Sequence, residues 1–313
     1  MKGINIIGRL SQILIVLIGV TFISFSLMSL SPGDPAEAML MSGGQSVSPE
    51  LLEATRQELG LNRPFLVRYM SWLWGVFRGD LGISYTSKQP VVDRMIAFFP
   101  ATLKLTVASL VIMLIVAIPF GILSALYCDR WPDYLIRGFT FLGVSVPNFW
   151  VGLMFLSFFA LRLHLVPVVS SGQGFSDLLL PAVTLAFAMS AKYTRQVRTA
   201  VLEELHQDYV LGAEVRGESR VSVLCREVLP NAVLPLITLL GLSLGSLLGG
   251  TAVVEIIFSW PGLGNLAVHA ITARDYPMVQ GYVLWISLIY MTINLIVDIS
   301  YGRLDPRIGR SSR

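Results

Sequence analysis

Charge is scarce in this chain: Asp, Glu, Lys and Arg make up 14% of its 313 residues, while hydrophobic residues make up 54% and the mean hydropathy is +0.69. Soluble domains carry roughly 25% charged residues, so the shortfall excludes an ordinary water-facing fold and points to a chain solvated largely by lipid. Cysteine is almost absent. Cys128 and Cys225 lie far apart and form neither a CxxC pair nor a disulfide framework, which leaves them as packing thiols. Histidine is nearly as rare: His164, His206 and His269 show no HxxxH or HExxH spacing, so there is no ligand set for a resident metal. No lysine follows a glycine (Lys2, Lys88, Lys104 and Lys192 are the candidates), and a P-loop ends in Gly-Lys to hold phosphates. The net charge of +3, with basic residues in loops and no interleaved aromatics, gives nucleic acid little to bind.

Long apolar runs are what the chain has instead. Residues 10–30 hold no charge, and at about 1.5 Å per residue such a run crosses the hydrocarbon core as a helix. Similar runs at 101–126, 138–161, 178–191, 233–258 and 281–301 predict six transmembrane helices in an all-α, polytopic membrane fold. The fourth run is the shortest and extends through Lys192 and Arg195, whose aliphatic stems can snorkel toward headgroups. Lys2 and Arg9 ahead of the first run, with Ala36-Glu37-Ala38 after it, imitate a signal peptide, but the run is longer than a typical h-region and predicts a retained helix. Lys and Arg concentrate at the N-terminus, around Arg130 and Arg137, between Lys192 and Arg226, and at the C-terminus. The positive-inside rule then places both termini in the cytoplasm.

The expected division is an N-terminal part, 1–100, with the first helix and an extracytoplasmic cap, and a five-helix core, 101–313. Within the cap, Ser48-Pro49-Glu50 is a helix-start signal and Gly60 a stop. A second helix over Phe65–Phe77 sets Phe65, Tyr69, Trp72 and Val76 on one face, able to lie on the membrane or to cover the spans; Trp72 and Trp74 suit an interface.

Between the fourth and fifth runs lies a polar island, 208–235. Val197, Val201, Leu205, Tyr209 and Ala213 recur every fourth position, predicting one helical stripe that leaves the fourth span and ends at Arg216-Gly217. In the fifth run Gly241, Gly245 and Gly249 make a small-xxx-small seam suited to helix packing or to the substrate path. In the third, Ser145, Pro147 and Asn148 predict a kink with its freed backbone satisfied locally, or a polar step on the path.

The island resembles the EAA loop of ABC-importer permeases of the peptide and nickel branch, on Asp208-Tyr209-Val210, Ala213, Arg216, Gly217, Leu229, Asn231, Ala232, Leu234 and Pro235. Further marks of that family follow in order: Pro32-Gly33-Asp34-Pro35, Leu59-Gly60-Leu61, Gly79-Asp80-Leu81-Gly82-Ile83-Ser84, Pro100-Ala101-Thr102-Leu103, Trp260-Pro261-Gly262-Leu263-Gly264, Arg274-Asp275-Tyr276-Pro277 and Asp305-Pro306-Arg307. Glu214 and Val215 depart from the family's usual basic residue and alanine.

The resemblance implies a type I importer permease fold whose loop, at about 192–232, is a coupling helix seated in an ATPase cleft, with Asp208, Tyr209, Ala213, Glu214, Arg216, Gly217, Asn231 and Pro235 as its functional residues. It implies a non-enzymatic permease subunit in the bacterial inner membrane that binds no cofactor, ATP and Mg2+ being held by two separate ATPase subunits. A sister permease forming a heterodimer, a solute-binding protein and membrane lipid are the other expected partners, with no nucleic acid. The runs 99–103 and 141–150 look most like nickel permeases, so the expected cargo is nickel or a nickel chelate, with a transient contact at His164 or His269 left open. Dipeptide or oligopeptide is the alternative. A self-contained secondary transporter or channel needs paired buried charges, and Lys104, Glu255 and Asp298 lie near span ends.

Overall fold

The computed structural model describes residues 6–42, 47–170, 172 and 174–304; Asp305-Pro306-Arg307 and the charged C-terminus lie outside them. Among the described residues the regular structure is helical, with one isolated bridge between Ile83 and Pro90. In chain order the helices are α1 (Ile6–Leu30), α2 (Pro35–Ser42), α3 (Pro49–Glu58), α4 (Phe65–Phe77), α5 (Val91–Leu126), α6 (Trp131–Ser145) and α7 (Asn148–Phe155), the last running into a π-helical stretch, Leu156–Arg162. Then come α8 (Phe175–Leu205), α9 (Asp208–Val215), α10 (Arg220–Val223) with a π-helical continuation Leu224–Val228, α11 (Leu229–Gly250), α12 (Ala252–Ile257), α13 (Leu263–Thr272) and α14 (Tyr276–Leu304).

Four helices are long and apolar enough to cross a membrane, at Ser11–Leu30, Val91–Leu126, Phe175–Leu205 and Tyr276–Val297, and two bent pairs bring the number to six. The second span starts ten residues before the apolar run, because Val91 N–H bonds Gly82 O at the end of the Ile83–Pro90 bridge and helix follows at once. The third is no mere kink: α6 and the helix after it meet at 99°. Pro147 has no N–H and disfavours helix at Val146, whose ψ is 129°, so the axis turns there and the Pro147 carbonyl opens α7 by accepting from Trp150 and Val151. The fifth run is also divided, α11 stopping at Gly250 and α12 beginning at Ala252.

The chain forms two compact units that interleave along the sequence. One contains the residues up to Thr102 together with Pro261–Met291; the other contains Leu103–Trp260 and the residues from Thr292 onward. In the first unit Leu81, Val91, Met95, Leu263, Met278 and Leu284 form a buried core. Ser48 Oγ accepts Leu51 N–H at 3.2 Å to start α3, and Gly60 follows its end at φ +67°. The face Phe65/Tyr69/Trp72/Val76 of α4 covers α1: Phe65 and Tyr69 meet Phe22 and Phe25 edge-on with centroids 5.2–5.8 Å apart, and Tyr69 Oη donates to Ile18 O at 3.1 Å. Trp72 stacks inward on Tyr69, whereas Trp74 stays exposed under the Arg78 guanidinium.

Short motifs that are scattered in sequence come together here. Buried Asp275 accepts Ser84 Oγ at 2.5 Å, Thr86 Oγ1 at 2.8 Å and Thr86 N–H at 3.1 Å on one oxygen, and Met278 N–H on the other, capping α14. Thr102 Oγ1 accepts Leu263 N–H at 2.7 Å. Asp34 accepts Ala36 N–H at the start of α2 and pairs with Arg56 Nε at 2.5 Å. In the second unit Met113, Ala117, Ala186 and Tyr193 are packed together, and Tyr193 Oη donates to Ser243 Oγ at 3.1 Å.

Candidate coupling site

The four-residue stripe does not sit on one helix. Leu205 is the last residue of α8; Gln207, with ψ 149°, turns the chain, and Asp208 opens α9 where its negative charge complements the helix N-terminus. Two side chains hold the break by bonding back to α8: His206 Nδ1 contacts Leu202 O at 2.7 Å and Gln207 Nε2 donates to Glu203 O at 3.3 Å. The stripe is buried all the same. Val197, Val201 and Ala213 join Val210, which the four-residue count omits, in a core with Ala200, Val223, Val228, Ala232 and Leu236. Tyr209 and Leu205 pack against it partly covered. So α9 rests on the last turns of α8 and the first turns of α11.

Polar bonds fix that seat. Tyr209 Oη donates to Glu204 Oε2 at 2.5 Å, and Asn231 Nδ2 donates to Tyr209 Oη at 3.5 Å and to Glu227 O at 2.8 Å. Burial and the Glu204 bond push the Tyr209 phenol from 10 up to about 12, so it remains a donor at any physiological pH. Pro235 lies inside α11, beside a 41° bend that follows Val233.

Gly217 ends α9 as a Schellman motif: Gly217 N–H bonds Glu214 O at 2.9 Å and Glu218 N–H bonds Ala213 O at 3.2 Å, with Gly217 at φ +80°. A side chain there would meet nothing within 4 Å, so the glycine is required by backbone conformation and not by crowding. Asp208, Glu214, Arg216 and Gly217 are exposed, and Arg216 pairs with Glu218 at 3.1 Å. Beside them Leu211, Val215 and Val221 present apolar surface at 63, 82 and 71% exposure. These three carry no charge or turn signal, and only knowing which faces of α9 and α10 are covered reveals them.

A second constellation escaped the sequence reading. Asp133, wholly buried at the start of α6, accepts Ser124 Oγ at 2.5 Å, Asp129 N–H at 3.0 Å, and Arg198 Nε and Nη2 at 2.8 Å each. This clamp joins the end of α5, the start of α6 and the last third of α8. Cys128, Asp129 and Asp133 lie close enough to share a cation, but Arg198 occupies Asp133 and Arg137 approaches both acids at 3.7 and 3.9 Å. The donor set suits guanidinium. His164 and His269 are exposed and belong to no group of three metal-ligating side chains among the described residues.

Ser145 Oγ donates to Phe141 O, four residues back in its own helix, at 2.8 Å, and Pro147 and Asn148 are exposed at the break. A Cβ on Gly241 would collide with Val297 of α14, so that position is a close helix contact; Gly245 is buried and Gly249 lies near the end of α11.

Helices of this length and apolarity, with a third span broken at Pro147, define a polytopic helical membrane protein. The fold is similar to that of the MetNI methionine ABC transporter in an inward-facing form (TM-score 0.56, 17% identity, 68% of this chain and 96% of that one) and to an amino acid ABC transporter solved with histidines (TM-score 0.54, 16% identity, 68% and 94%). Residues 117–310 match the binding-protein-dependent transport system inner membrane component, and residues 4–108 match the N-terminal region of such membrane components. The chain belongs to this family of ABC-importer permeases and is a transport subunit, not an enzyme. It is 37% identical to the probable D,D-dipeptide transport permease DdpB of Escherichia coli K12 over 95% of each chain. It is 35% identical to the dipeptide permease DppB of the same strain, and 38% identical to a putative peptide permease of Brucella suis, in each case over 97% of this chain and 98% of the relative.

Proposed function

We propose that this chain is one permease half of an importer for short peptides. The observation that carries the cargo is the set of full-length relatives at 35–38% identity, named for D,D-dipeptide, dipeptide and peptide transport. They support the peptide alternative over the nickel reading taken from the runs 99–103 and 141–150. The exposed histidines add no support for nickel.

In this reading α9 is the docking lever for a separate ATPase subunit. Its buried side is anchored on α8 and α11, its free side offers Leu211 and Val215, and α10 adds exposed Val221, with the exposed charges Asp208, Glu214 and Arg216 in the same segment, the mix of apolar centre and charged rim that partner interfaces use. The termini and this loop face the cytoplasm, and a sister permease, a second ATPase and a solute-binding protein complete the assembly. ATP and Mg2+ belong to the ATPase subunits. Uptake of labelled dipeptide and labelled nickel, measured in parallel in cells with and without this chain, tests the cargo. Loss of peptide uptake with nickel uptake unchanged is expected; the reverse pattern refutes it.

A further inference from the structure

The first unit contains a cavity of 270 Å3 that none of the residues assigned above explains. Arg63, Arg68, Trp72, Asp80, Tyr85 and Gln280 line it. Its polar groups are left open in a complementary way. Neither arginine forms an ion pair within 4 Å among the described residues, although Asp80 lines the same cavity, and Asp80 spends only Oδ1, on Gly82 N–H at 2.8 Å. Gln280 is 2% exposed; its Nε2 reaches Met28 Sδ at 3.7 Å while its Oε1 has no donor. Trp72 Nε1–H is buried with no acceptor. Burial pushes the Tyr85 phenol up to about 12, so its hydroxyl stays a donor. A buried amide oxygen and a buried indole N–H are each costly to leave unpaired.

The cavity also faces away from the surface that lipid would cover. On α4 the exposed apolar residues Leu66, Met70, Trp74 and Phe77 form one stripe. Arg68 and Trp72 lie roughly 150° around the helix from it at about 100° per residue. In the orientation proposed above, the opening is therefore reached from the extracytoplasmic water.

We propose that this cavity binds the free termini of a short peptide, with the carboxylate at Arg63 and Arg68, the ammonium at Asp80, and backbone N–H and C=O groups at Gln280 Oε1 and Trp72 Nε1. Two cations with no carboxylate partner among the described residues, Arg68 resting over the Phe25 ring at 5.6 Å, and one half-used carboxylate in one cavity match a zwitterion, and the cavity is slightly smaller than the roughly 300–1,000 Å3 of drug-sized ligand sites, the size for a dipeptide. The choice of a peptide among zwitterions rests on the cargo reading.

The test is equilibrium dialysis of the full chain in lipid nanodiscs with labelled Ala-Phe, its C-terminal amide and its N-acetyl form. The acid should bind at least tenfold more tightly than the amide, and more tightly than the acetyl form. The double variant R63Q/R68Q should bind the acid only as weakly as the amide while leaving amide binding unchanged, and Gln280→Leu should weaken all three ligands. Equal affinity for acid and amide in the wild-type chain, which involves no folding question, overturns the site. Peptide uptake by the assembled transporter without cap binding overturns the site alone and leaves the cargo reading standing. Succinate binding as tightly as Ala-Phe overturns the peptide as ligand.

Discussion

Asp133→Asn is the sharpest perturbation of the scaffold that carries α9. The amide keeps the shape and loses the charge, and either flip sets its NH2 group against two donors: Ser124 Oγ and Arg198 Nε on one side, Asp129 N–H and Arg198 Nη2 on the other. Asp133 is fully buried and the Arg198 side chain 20% exposed, so neither group can turn to water for replacement. Breaking a buried pair from one side costs roughly 3–5 kcal/mol, a large part of the about 5–15 kcal/mol that stabilises a domain. At about 2–4 °C per kcal/mol for a body of this size, the melting midpoint should fall by about 6–20 °C in detergent, read from tryptophan fluorescence. A cycle with Arg198→Met isolates the pair: the double variant should lose about 1–3 kcal/mol less than the sum of the single losses. A midpoint within 2 °C of the parent (about 1 kcal/mol) for D133N, or strictly additive losses, refutes the clamp.

Gly217→Val forces a β-branched residue to φ +80°, a strain of about 1–2 kcal/mol that should unwind the end of α9 and lower uptake per ATP hydrolysed, whereas Gly217→Asn should retain coupling; equal behaviour of the two variants contradicts the backbone argument. Leu211→Glu with Val215→Glu places charge on an already exposed surface, so membrane insertion and melting should be unchanged while co-purification of the ATPase is lost. Tyr209→Phe tests the seat of α9. Because the phenol is raised to about 12 in the fold, its neutral form is favoured; that contribution is complete below about pH 10, the ordinary phenol value, and is lost as the pH rises toward 12. The parent's melting midpoint should therefore drop more steeply than the variant's over that interval, and parallel curves count against the bond.

The membrane class and the identity of the spans were legible because uncharged runs of spanning length have few other uses. Helices α3 and α4 were legible from local chemistry, Ser48-Pro49-Glu50 at the start of one and a repeating apolar face along the other. Breaks were not. The periodicity of Val197 through Ala213 carries across Gln207 because a turn of two residues barely disturbs a four-residue count, so one lever was read where there are two helices. Pro147 announced a bend, but its angle depends on what α6 and α7 pack against. Asp133 and Arg198 stand 65 residues apart, and in sequence each was just a charge near a span end. Cargo was the least legible part: the full-length relatives named for peptide transport favour the peptide alternative over the nickel reading.

The Asp133–Arg198 clamp also sets a mechanical scale. Arg198 lies seven residues before the end of α8 at Leu205, roughly 10 Å at 1.5 Å per residue. Held there on one side, α8 has a fulcrum close to its tip. A sideways push of roughly 3 Å arriving through α9 then tilts the arm by roughly 15°, by the geometry of that rise. In the docking reading proposed above, the longer portion of α8, from Phe175 to the clamp, would swing the opposite way and magnify the stroke at the far end of the span.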